Sequence, residues 1–174
     1  AFGSQTFMES GSAALAFGGG NRLGIQADRT FEDNRLSLTA GVWSVASDPG
    51  VGGGELMQSL VNPAVRVTGL PVYEDRGADR TEYLHLGGSV SYSVIKGTTV
   101  RYRSRPESFI APYAVDTGTI KAHDAATASL ETIYGNGAFS LQSEAALTAV
   151  DGEHGNYHFH GEYIAIGWFL TGEQ

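Results

Sequence analysis

Three arginines stand at alternate positions in the stretch TVRYRSRPES: Arg101, Arg103 and Arg105. A β-strand points successive side chains to opposite faces, so this spacing sets three guanidiniums on one face about 7 Å apart. Val100 and Tyr102 take the other face. A guanidinium stays charged at any working pH and offers a fork of donors to phosphate oxygens. The competing reading is a solvated strand face whose charges pair with acids on a neighbour. Lys96 and Lys121 are nearby cations in a turn and a loop, and Lys121 would extend an anion path.

A second group lies in HFHGE, where His158, His160 and Glu162 share one face of a strand. Two imidazoles and a carboxylate are zinc-ligand types. Only three such ligands are visible and they are spread along the strand, so they read as polar lumen residues, with a metal site as the weaker alternative. No Gly-x-Ser-x-Gly elbow and no phosphate loop ending in Gly-Lys is present, so neither chemistry supports an enzyme.

These residues need strands to position them, and the composition supplies strands. The chain has 174 residues, 24 of them glycine, and no cysteine. The absence of cysteine removes disulfides, thiolate metal sites and cysteine nucleophiles. With 19 acidic against 11 basic residues the net charge is −8, which disfavours nucleic acid as a partner. No run approaches 18 apolar residues, which excludes a membrane helix and leaves a membrane barrel open.

Alternation is the dominant pattern. NRLGIQADRTF and RLSLTAGVWSV flank the turn EDN as a hairpin. PAVRVTGL is a short strand, and LPVYEDRGADR continues it as a charged turn. TEYLHLGGSVSYSV puts Leu84, Leu86, Val90, Tyr92 and Val94 on one face and Tyr83, His85, Ser89, Ser91 and Ser93 on the other. KGT reads as a turn into the arginine strand, and a loop follows from 106 to about 123. ATASLETIY, GNG and AFSLQSEAALTAV form another hairpin, and YHFHGEYIAIGWFLTG closes the chain. The expectation is an all-β antiparallel meander of about eight strands with no helix. One face is aliphatic or aromatic and the other is Ser, Thr, His, Glu and Arg. A membrane barrel turns the first to lipid and the second to a lumen. A soluble β-sandwich or barrel that binds a carbohydrate or protein would bury the first instead.

The ordered set TFMES, NRLGIQADRTFEDNRLSLTAGVW, VTGLPVYEDRGADRTEYLHLGGSVSYS, TVRYRSRPES, VDTGTI and EYIAIGWFLTGE resembles the phosphate-selective porin O and P family of bacterial outer membranes. The resemblance implies a sixteen-strand barrel, a homotrimer and a ladder of lumen arginines that passes small inorganic anions. Phosphate or polyphosphate is the favoured solute, and no cofactor is implied. Arg101, Arg103 and Arg105 match part of that ladder. Residues 1–174 then form the central part of a single barrel domain in contact with outer-membrane lipid. Ser10 departs from the arginine that usually follows Phe-Met-Glu in the family. Tyr83, Tyr92, Tyr102, Tyr113, Tyr157, Tyr163 and Trp168 are candidates for interfacial aromatic girdles.

One expectation conflicts with a porin. Short turns and long loops alternate between the two ends of such a barrel. Turns at 32–34, 95–98 and 135–137 do not keep one parity with a loop at 106–124. Either that loop holds another short strand around Val115 to Ile120, or one of the strands is misread.

Overall fold

The computed structural model describes residues 22–45, 55–57, 61–75, 77, 81–105 and 110–170. The Phe-Met-Glu segment, the glycine-rich opening and most of the 46–60 connection lie outside them. Nine strands and no helix occur among the described residues: β1 (Arg22–Phe31), β2 (Leu36–Val45), β3 (Glu55–Met57), β4 (Asn62–Asp75), β5 (Thr81–Ser104), β6 (Val115–Asp116), β7 (Ile120–Asn136), β8 (Phe139–Gly152) and β9 (Gly155–Trp168). All pairings are antiparallel, in the order β1-β2-β4-β5-β7-β8-β9, with β3 and β6 flanking the far end of β5. The sheet is an open meander whose outermost strands are β1 and β9.

The parity conflict resolves at one place. The 95–98 segment is not a turn: β5 runs unbroken for 24 residues. Gly97 suggested a reversal, but Lys96 takes a positive φ of 52° and inserts a bulge instead. The 106–124 loop does hold a short strand, β6. The connections at 32–35, 76–80 and 137–138 therefore share one end of the sheet. The longer ones, 46–61 and 105–119, share the other end with the tight β8–β9 turn. In the first hairpin Glu32, Asp33 and Asn34 all have positive φ, and Arg35 N–H donates to Glu32 O at 3.0 Å.

The two faces divide as the alternation predicts. Ile25, Val42, Val65, Val67, Val90, Leu130, Leu147, Ile164 and Ile166 are exposed on one face; Ile25 is 84% exposed and Leu130 70%. A soluble sandwich would bury these side chains. Seven strands instead leave them outside, as lipid-facing residues of a barrel are. The other face carries Gln26, Asp28, Arg66, His85, Ser89, Ser91, Thr127, Ser129, Glu131 and Gln142. Its polar groups bond laterally, Ser89 with Ser129 at 2.7 Å and Thr127 with Thr148 at 2.9 Å.

The small core sits on the polar-face side near the long-connection end. It comprises Ile95, Val100, Tyr102, Ala122, Ala125 and Val150, with Ile120, Tyr157 and Phe159 packed against it. This core requires β5 to fold back on itself. Phe159 pairs with Thr148, Thr148 with Thr127, and Thr127 with Ser91, so Phe159 lies level with Ser91. Tyr102 is eleven residues further along β5, about 36 Å in a straight strand. Yet the Tyr102 and Phe159 ring centroids are 5.3 Å apart. The bend falls at register shifts in both strands, between Val94 and Thr98 on β5 and between Ala122 and Asp124 on β7. Beyond it, the end of β5 with β3, β6 and the start of β7 forms a flap laid over the polar face.

Candidate anion pathway

The flap has two sides, fixed by alternation along β5. Val100 and Tyr102 face down onto Ala125, Val150 and Phe159, where they are buried. Arg101 and Arg103 take the upper side and point away from the wall, into the space in front of the polar face. The sequence reading placed the row on the barrel wall itself; the bulge at Lys96 carries it inward on the flap.

The row is also not a bare line of repelling cations. Arg101 donates from Nε to Asp116 Oδ1 at 2.8 Å and from Nη2 to Oδ2 at 2.5 Å, a two-point clamp. Asp116 Oδ1 accepts a second bond from Gly118 N–H at 2.9 Å, which the positive φ of Gly118 (70°) permits. The Arg101 bond, then the Gly118 bond, hold the Asp116 carboxyl down to about 2. The same contact pushes Arg101 up. The guanidiniums of Arg103 and Arg105 stand over one ring, Tyr113, at 4.3 and 4.4 Å from its centroid. Arg103 Nε is buried without a hydrogen-bond acceptor among the described residues. Lys121 lies at the root of the flap, 3.4 Å from Glu153 in the β8–β9 turn.

Three wall residues were missed by the sequence reading as a group. Arg66 on β4, His85 on β5 and Glu131 on β7 meet on the polar face. Arg66 Nη2 and His85 Nε2 both reach Glu131 Oε1, the latter at 3.0 Å. Arg66 lies between Val65 and Val67, so its alternation was legible; the two-strand reach of Glu131 was not. That reach needs Gly87, which directly opposes Glu131. A Cβ at Gly87 would stand 2.6 Å from Glu131 Cγ and 2.7 Å from Cδ.

The histidine group is placed differently from the expectation. His158, His160 and Glu162 pair across to Ala149, Leu147 and Ala145, so they share the apolar face with Ile164 and Trp168. They are not lumen residues. Tyr157, Phe159 and Tyr163 alternate with them and take the polar face, two of them seating the flap. His160 Nδ1 lies 3.1 Å from Glu162 Oε2, beside a depression of about 630 Å³ lined by Val67, Val90, Leu130 and Leu147. No group of three acidic or imidazole side chains able to hold a metal occurs among the described residues.

Of the girdle candidates, Tyr92 and Trp168 lie on the apolar face, whereas Tyr83, Tyr157 and Tyr163 lie on the polar face, with Tyr102 and Tyr113 on the flap. At the short-turn end Trp168 continues into Phe139 and Tyr134, with centroids 6.1 and 6.3 Å apart. That cluster forms the clearest aromatic belt on the apolar face.

Apolar residues outward, polar residues and a cationic flap inward, and antiparallel strands with one short-turn end are the features of an outer-membrane barrel. No curated protein matches the chain. The family profile for phosphate-selective porin O and P matches residues 3–174, so the chain belongs to that family of bacterial outer-membrane porins.

Proposed function

We propose that the channel passes small inorganic anions by diffusion, phosphate foremost and polyphosphate with it, along the arginine side of the flap. The observation that supports this reading is the direction of Arg101 and Arg103, away from the wall and above a seated underside. Lys121 extends the same side toward the flap's root. Pore selectivity follows the local field, so a net charge of −8 over the whole chain does not oppose it.

The long connections of such barrels lie outside the cell, so the flap enters the channel from the extracellular end. Asp116 neutralises one arginine, and the Tyr113 ring carries the other two. An arriving anion therefore meets preformed, moderately strong sites, and leaves readily. Catalysis and cofactors have no place in this reading. Assembly as a homotrimer in outer-membrane lipid belongs to the same proposal, and crosslinking in native membranes tests it.

The test is single-channel recording of the whole porin in planar bilayers, in chloride with added phosphate. The comparison protein carries Arg101→Ala, Arg103→Ala and Arg105→Ala together. Loss of anion selectivity and of phosphate block in the triple variant supports the reading. A cation-selective parent, or an unchanged variant, overturns it.

A further inference from the structure

The wall carries a second charged station that the flap does not use. Arg66, Glu131 and His85 come from three adjacent strands, β4, β7 and β5, and converge on one carboxylate oxygen on the polar face. Arg66 is half exposed, and His85 and Glu131 about a quarter exposed, so the cluster opens to the channel space. It is a built arrangement. Gly87 leaves a gap in β5 through which the Glu131 side chain crosses to reach β4, and a side chain there would close it. With a neutral imidazole the three groups sum to zero charge, because Glu131 cancels Arg66. With a protonated imidazole they sum to +1.

We propose that Arg66, Glu131 and His85 form a proton-controlled binding station for small inorganic anions, latent when His85 is neutral and attractive when it is charged. Imidazole is the side chain whose charge changes between pH 5 and 8. Glu131 already accepts from Nε2–H of the neutral ring, so protonation adds its proton at Nδ1 and puts a positive charge beside Arg66. An anion then meets one positive charge more at the wall than at pH 8, set against the carboxylates of Glu144 and Asp28. The other charged or titratable groups facing this point are Asp28 on β1, level with Arg66 through Thr39, Glu144 on β8, opposite Glu131, Tyr163 on β9, opposite Glu144, and Tyr83 on β5 itself. Carboxylates and phenols titrate outside the pH 5 to 8 window, so the change between those limits belongs to the imidazole. The site is independent of the arginine row, and fails or stands separately from it.

The experiment is reversal potential across a potassium chloride gradient, with the whole porin in planar bilayers at pH 8 and at pH 5. Chloride is the probe because its own charge does not change with pH. One unit charge at about 7 Å in an aqueous lumen changes local anion occupancy about threefold. The parent's anion-to-cation permeability ratio is therefore expected to rise about threefold at pH 5. His85→Gln should remove the rise, and Glu131→Gln should raise the ratio about threefold already at pH 8. A parent without a pH response, a His85→Gln channel that keeps the full response, or a Glu131→Gln channel with the parent's ratio at pH 8 each overturns the proposal. If His85→Gln does not assemble, Glu131→Gln decides alone. Removing the row by the triple alanine substitution should lower the ratio at both pH values while leaving the proportional rise at pH 5.

Discussion

Tyr102 and Phe159 face each other at 5.3 Å between ring centroids, although strand register puts them eleven residues apart in height. That contact brings the arginine side of β5 over the polar wall. Tyr102 is 3% exposed and, with the buried Val100, seats the underside of the flap on Ala125, Val150 and Phe159.

Tyr102→Ala is expected to unseat the flap. The aromatic pair alone contributes about 1 kcal/mol beyond its buried area, and truncating the ring leaves a void over Val100 and Phe159. Single-channel records should show higher and noisier conductance with weaker anion selectivity. Tyr102→Phe keeps the ring and should behave as the parent. Equal conductance in Tyr102→Ala and the parent would show that the flap is held elsewhere.

Gly87→Ala should displace the Glu131 carboxylate without touching any charge. The new Cβ stands far inside contact distance of Glu131 Cγ and Cδ, so the side chain must swing off β5. Overpacking of this kind costs about 1–3 kcal/mol. Arg66 then loses its contact with the carboxylate while that charge stays in the lumen, so at pH 8 the permeability ratio should shift in the direction of Glu131→Gln but by less. Unfolding in denaturant measures the stability cost, and reversal potential measures the lost ion pair.

The two faces of the sheet were legible because alternation has a period of two and the hairpins preserve it. The strand order followed from the same runs. Lys96 was not legible as a bulge: Lys-Gly-Thr reads as a turn, and only pairing on both flanks shows that β5 continues past it. One misread turn inverted the parity of every later connection and hid the fold-back. The arginine row was visible as residue types, but its clamp by Asp116 and its stacking on Tyr113 join segments ten or more positions away. His158 and His160 were assigned to the wrong face because polarity was taken as the guide. The aromatic residues between them compete for the polar face, where Tyr157 and Phe159 gain the flap as a partner.

In the proposed pathway, Asp116 sets how strongly the row attracts an anion. Its carboxyl sits at about 2 because of Arg101 first and Gly118 N–H second. A carboxylate lowered in the folded state contributes stability above its unfolded value of about 3.9, and loses it as pH falls through the folded value. The 110–119 segment should therefore stay clamped at pH 4 and loosen near pH 2, which cleavage by an acid protease over that window would report. At neutral pH, Asp116→Asn frees Arg101 and should tighten phosphate block about threefold. Unchanged block would mean that Arg101 does not meet the anion.

The apolar face makes the membrane assignment testable without any channel measurement. Leu130 lies midway along the spanning part of β7 and is 70% exposed. Against lipid, Leu130→Lys places an ammonium near the middle of the hydrocarbon and should cost about 2–4 kcal/mol. Ser129→Lys, one residue away on the polar face, enters the water-filled side and should cost well under 1 kcal/mol. Reversible urea unfolding in lipid vesicles separates the two. A sheet whose apolar face was packed in a protein core would be damaged by Leu130→Ala as well, by about 2–5 kcal/mol. In lipid the alanine still faces hydrocarbon, so Leu130→Ala should fall well short of the lysine variant. The order lysine, then alanine, then the Ser129 variant is the expected ranking for a lipid-facing leucine. Equal losses for the lysine and alanine variants would sink the barrel assignment.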